Sequence, residues 1–126
     1  NYLMEAYSNI KVPDETLKYV EMIRESEKSS EEEKCRASLF AGKAHLLKAD
    51  TTLAIKELNY AASKTQTITA AESKYLVATL QYLKKDYKAS QKTAFELINK
   101  MPSYDYWVAK SFILLADNYV ALKDIL

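Results

Sequence analysis

The sequence predicts an all-α protein, an α-solenoid of antiparallel helix pairs with about three and a half repeat units. Two observations carry this expectation. The chain has one glycine and two prolines in 126 residues. Turn-rich folds need far more of both, and the abundant Ala, Leu, Lys and Glu are good helix formers. Two ladders of residues also recur. Asp14, Asp50, Asp86 and Asp124 are 36, 36 and 38 residues apart, each before a run with helical apolar spacing. Leu3-Met4, Ala41-Gly42, Val77-Ala78 and Leu115-Ala116 follow at 38, 36 and 38. A fixed period of this size is the signature of stacked two-helix units.

Apolar periodicity predicts helices at 1–11, 15–28, 31–48, 51–64, 70–84, 87–100 and 104–122. Ser30 with Glu33, and Thr69 with Glu72, fit the capping box, in which a hydroxyl accepts from an early N–H and a carboxylate reaches back. Asp14, Asp50, Asp86 and Ser103 read as single N-caps, two of them preceded by Pro13 and Pro102. Short loops make neighbours antiparallel. Thr65–Thr69 contains β-formers but is short and lies between two helices, so no strand is expected. The repeat units fall at about 1–28, 30–65, 69–101 and 103–126, all in one domain. Asn1 falls inside a helical pattern and Asp124 reads as the cap of a helix not included, so the sequence reads as a piece of a longer protein. The last helix should then lack its pair, which predicts self-association through residues 104–126.

Small residues set the distance between helices. Gly42 sits late in one helix, with Ala54, Leu58 and Ala61 in the next; Ala78, Ser90, Ala94 and Leu97 hold the same places one period on. A large side chain there would force the helices apart at roughly 1–3 kcal/mol.

These residues resemble the tetratricopeptide repeat. The third unit supplies Ala78, Tyr87, Ser90, Ala94 and Pro102, the second Gly42, Ala54, Leu58 and Ala61. The fourth supplies Phe112, Leu115, Ala116 and Tyr119. The first is degenerate, with Leu3-Met4, Tyr7, Thr16, Val20 and Ile23. His45 and Gln81 stand where an aromatic is usual, and the period exceeds the family's value of about 34. The stretch Lys85–Leu122 looks most like repeats of bacterial cell-envelope proteins. The resemblance implies a right-handed superhelix, a protein or peptide partner, and a periplasmic or outer-membrane-associated location.

Net charge is +1, which gives no global bias toward nucleic acid or an anionic membrane. Residues 1–34 carry nine acids and five bases, the remainder eight acids and thirteen bases. No apolar run approaches the roughly 20 residues of a membrane span. Cys35 is the single cysteine, which excludes a disulfide within the chain. Cys35 and His45 are ten residues apart and do not share a helix face, so neither a metal site nor a nucleophile–base pair is expected. No cofactor motif is present. Glu31-Glu32-Glu33 reads as acids favouring a helix N-terminus rather than an acidic docking patch. Lys84, Lys85, Lys88 and Lys92 would form a basic stripe on a continuous helix, but Asp86 starts a new helix between them. Tyr104-Asp105-Tyr106-Trp107 reads either as a partner anchor or, preferably, as packing in which Trp107 and one tyrosine seal the last two repeat units.

In stacked helix pairs the first helices line a concave face. Helical spacing selects Leu39, Lys43 and Leu46, then Tyr75, Thr79 and Tyr82, then Ile113, Asp117 and Val120 as the groove. It is apolar and aromatic, with one base and one acid. The carboxylate clamp of some tetratricopeptide modules needs Lys and Asn at the places of Leu39, Lys43, Tyr75 and Thr79, and only Lys43 is basic. An extended or helical apolar segment is the expected ligand class. The expected function is a non-catalytic protein-interaction scaffold. The alternatives are a spacer within a long repeat protein, its groove empty or filled by the same chain, or a nucleic-acid-binding solenoid.

Overall fold

The computed structural model describes residues 12–125, and it is all-α. The helix predicted at 1–11, with Leu3, Met4 and Tyr7, lies outside the described residues. Six helices follow: α1 (Pro13–Glu25), α2 (Glu31–Leu47), α3 (Thr51–Ser63), α4 (Ile68–Leu83), α5 (Tyr87–Lys100) and α6 (Asp105–Ile125). No strand occurs among the described residues. The chain divides into two compact units, the first up to Ser73 and the second from Lys74.

In the first unit α2 packs on both α1 and α3. Both pairs are antiparallel. Arg24, near the end of α1, donates to Ser38 early in α2, while Lys48, just after α2, pairs with Asp14 at the start of α1 (2.6 Å). Tyr60, late in α3, donates to Glu31, the first residue of α2. Val20, Ala37 and Ala41 form a core with Leu17, Ile23 and Phe40 against it. Gly42 faces α3 so closely that a Cβ would meet Leu58 Cγ and Cδ2 at 2.7 Å. Leu58 is fully buried and has little room to yield. The sequence-predicted close approach is therefore present, and a side chain at position 42 would strain it.

In the second unit the latter part of α4, α5 and α6 come together. Ser90 Oγ on α5 donates to the Ala78 carbonyl on α4 (2.8 Å) and accepts from Asn118 Nδ2 on α6 (2.9 Å). Lys74 pairs with Glu96 (2.8 Å), which fixes α4 and α5 antiparallel. Ala94, Leu97, Met101, Leu114 and Leu115 are buried in this unit. Asn118 is wholly buried, and its Oδ1 has no hydrogen-bond partner.

The aspartate ladder resolves into two built turns and two departures. After α2, the Asp50 N–H donates to the His45 carbonyl (2.8 Å) and the Ala49 N–H to that of Leu46 (3.0 Å). After α4, Asp86 N–H donates to Gln81 (2.9 Å) and Lys85 N–H to Tyr82 (2.9 Å). Both are Schellman motifs, and each places a non-glycine residue in the left-handed region: Ala49 at φ 61° and Lys85 at φ 67°. The same aspartates then cap the next helix: Asp50 Oδ1 accepts from Leu53 N–H, and Asp86 Oδ1 from Ala89 N–H. One residue thus ends one helix and starts another, twice, 36 residues apart.

Four cap assignments are corrected. Asp14 lies inside α1, after Val12 and Pro13, and makes no cap; its carboxylate holds Lys48 instead. Asp124 lies within α6, because nothing breaks the helix before it. Thr69 lies one residue inside α4, and its hydroxyl donates to Glu32 rather than accepting from the helix start. Its proposed partner Glu72 pairs with Lys43. Ser103 precedes Tyr104, whose backbone leads into α6. The Ser30–Glu33 capping box is present in both directions.

Candidate functional site

The nine groove residues fall in both compact units. In the first, Leu39, Lys43 and Leu46 are buried. Lys43 Nζ lies 2.5 Å from Glu72 Oε2 and 5.9 Å from the Phe40 ring centroid, so its charge is already matched. In the second, Tyr75 and Thr79 are buried, and the Thr79 hydroxyl donates back to the Tyr75 carbonyl (2.9 Å). Tyr82 is half-buried with its ring edge-on to Tyr87. Burial, with Asp117 and Tyr87 nearby, pushes its phenol pKa up. Ile113 and Val120 are 59% and 62% exposed, and Asp117 is half-buried.

Most of the exposed large apolar side chains of the second unit lie on α6, with Leu83 on α4 and Phe95 on α5 exposed singly. Tyr106, Ile113 and Val120 recur every seven residues, which keeps them on one stripe of a helix, and all are exposed. Phe112 and Tyr119 are exposed beside them. At the start of α6 an aromatic cluster has two characters. Trp107 is half-buried, its centroid 5.6 Å from that of Tyr75 and 4.8 Å, edge-on, from that of Tyr106. Lys110 Nζ sits 5.6 Å from the Tyr75 centroid and 5.3 Å from that of exposed Tyr106. Trp107 therefore packs, while Tyr106 remains available.

The acidic run at the head of α2 is divided among three tasks. Glu33 accepts from Ser30 N–H, which holds its carboxyl below the ordinary range. Glu31 accepts from Tyr60 Oη and raises that phenol's pKa. Glu32 accepts from the hydroxyls of Thr65, Thr67 and Thr69. Burial alone would raise Glu32, but the three hydroxyl donors outweigh it and its carboxyl lies below its ordinary value. Cys35 is fully buried; burial, then Glu31 and Glu32, push its thiol up, away from thiolate chemistry.

No group of three or more His, Cys, Asp or Glu among the described residues is placed to hold a metal ion. No described helix is long and apolar enough to cross a membrane. The chain matches no protein-family model, no curated protein and no solved structure.

The first unit also contains a cleft of about 470 Å3 that sequence reasoning did not find. Leu53, Lys56, Glu57 and Tyr60 line it from α3, Lys34 and Ser38 from α2, and Arg24 from α1. Their i, i+3, i+4 and i+7 spacing on α3 was the available signal; Arg24 is brought there only by packing. Arg24 bonds Glu21 (3.1 Å), Ser38 Oγ (3.1 Å) and Glu57. Burial would lower its pKa, yet Glu57 and Glu21 hold it above the ordinary value.

Proposed function

We propose that this chain is a non-catalytic protein-interaction scaffold of the tetratricopeptide-like helical-repeat type, and that it engages an apolar helical or extended segment along α6. The exposed stripe of Tyr106, Ile113 and Val120, flanked by Phe112 and Tyr119, carries this reading. Aromatic and aliphatic side chains clustered on one accessible helix face are the usual anchors of protein interfaces. The repeated turn at Ala49-Asp50 and Lys85-Asp86 supports the repeat-type reading. So do the paired close approaches, Gly42 with Leu58 and Ala78 with Ser90. A purely architectural role is the second reading, favoured by the burial of Leu39, Lys43, Leu46, Tyr75 and Thr79.

Selection of displayed peptides on the immobilised chain tests this. Apolar segments should be recovered, and their affinity should fall at least about tenfold in the Ile113→Asp/Val120→Asp variant with unchanged helicity. Failure to select any segment, or equal binding by the variant, would favour the architectural role.

A further inference from the structure

We infer that the cleft between α1, α2 and α3 binds a carboxylate carried on an apolar body. The carboxylate lies between Lys34 and Lys56 and the body rests against Leu53 and Tyr60. This site is separate in sequence and chemistry from the α6 face and stands or falls without it.

Four observations carry the inference. The volume, about 470 Å3, lies within the range of small-ligand sites, roughly 300–1,000 Å3. Leu53 is 41% exposed, an aliphatic side chain left at the surface of a cleft that Tyr60 also lines. The acid that lines the cleft and the two that bond its lining side chains are engaged: Glu57 and Glu21 by Arg24, Glu31 by Tyr60. Lys34 and Lys56 line the same space and make no ion pair with any described residue. The two ammonium groups with no ion pair therefore stand over a floor fixed by Arg24, Ser38 and Glu57.

The acids also set the class of anion. Glu57 lines the cleft, and Glu21 and Glu31 bond side chains that line it. A doubly charged phosphate would meet that field at short range, whereas a carboxylate carries one charge and needs only the two lysines. A free organic acid and a glutamate beside an aromatic residue in a peptide offer the same chemistry.

Amide-resolved titration of the isotope-labelled chain distinguishes these. The probes are phenylacetate, acetate, phenyl phosphate, N-acetyl-Phe-Glu-amide and N-acetyl-Phe-Gln-amide. Phenylacetate or the Phe-Glu peptide should produce saturable shifts at Lys34, Ser38, Leu53, Lys56 and Tyr60. Acetate and the Phe-Gln peptide should bind more weakly. The tighter of the first two identifies the source of the carboxylate. The Lys34→Gln/Lys56→Gln variant should weaken binding about three- to tenfold, the loss expected for two solvent-screened charge contacts, one half-buried and one exposed. Leu53→Ser should weaken phenylacetate but not acetate. Absence of saturable shifts, tighter binding of phenyl phosphate, or unchanged affinity in the lysine variant would overturn the assignment.

Discussion

Glu32 gathers three threonine hydroxyls at 2.9–3.0 Å, two from the connection before α4 and one from its first turn. A carboxylate accepting several hydrogen bonds favours its charged form, and its lowered pKa makes that preference a source of stability. The folded value lies below the unfolded one. The contribution is therefore complete above the ordinary carboxylate pKa and is lost as pH falls through the folded value, in the region below about pH 4. Glu32→Gln should destabilise the chain by about 1–2 kcal/mol at pH 7. The difference from the natural chain, measured by chemical denaturation, should shrink as pH falls below the ordinary carboxylate pKa. A pH-independent difference would mean that the carboxylate's charge is not what the hydroxyls select. Nothing at positions 31–33 distinguished this glutamate beforehand. The helix-start reading fits Glu33, but the partners of Glu32 lie 33 to 37 residues away.

The turns after α2 and α4 are the clearest case of one element being only half legible. Their aspartates were visible as caps, because an acid before an apolar-periodic run has a local meaning. The left-handed residue before each was not, because Ala49 and Lys85 give no sign of it and the chain's single glycine is used elsewhere. An L-residue in that region is disfavoured by roughly 1–2 kcal/mol, a penalty glycine avoids. Ala49→Gly and Lys85→Gly should each stabilise the chain by about 1 kcal/mol, less the extra entropy glycine loses on folding. A lower melting temperature in both would contradict the backbone assigned here. Gly42 was legible for the opposite reason. A lone small residue, set against Ala54 and Leu58 at helical spacing, needs a close neighbour to explain it, and Leu58 is that neighbour.

Across the whole molecule, composition and period were enough for the all-α class and for helix ends to within a few residues. They were not enough for the candidate sites. Helical spacing shows which residues share a face, but not whether a neighbour covers it, so Leu39 and Ile113 looked equivalent and differ in burial. Pairings over long separations, such as Arg24 with Glu57 and Lys43 with Glu72, depend on packing that spacing does not encode. The division between Ser73 and Lys74, within α4, has no mark in the sequence either.

The threonine anchor on Glu32 also determines where a protease can enter. Lys64–Thr65 lies in the longest polar connection, where a digest would be expected to start. Yet Thr65 is bonded to Glu32, and Lys64 Nζ lies 5.9 Å from the Tyr60 centroid. Lys28–Ser29 lies between α1 and α2 with only short local bonds. Of these two bonds, trypsin should therefore cut after Lys28 well before it cuts after Lys64. In Glu32→Ala the order should reverse or the two cuts should become simultaneous, as mass spectrometry of a timed digest would show. A single acid thus decides whether the middle of the chain survives digestion as one intact fragment.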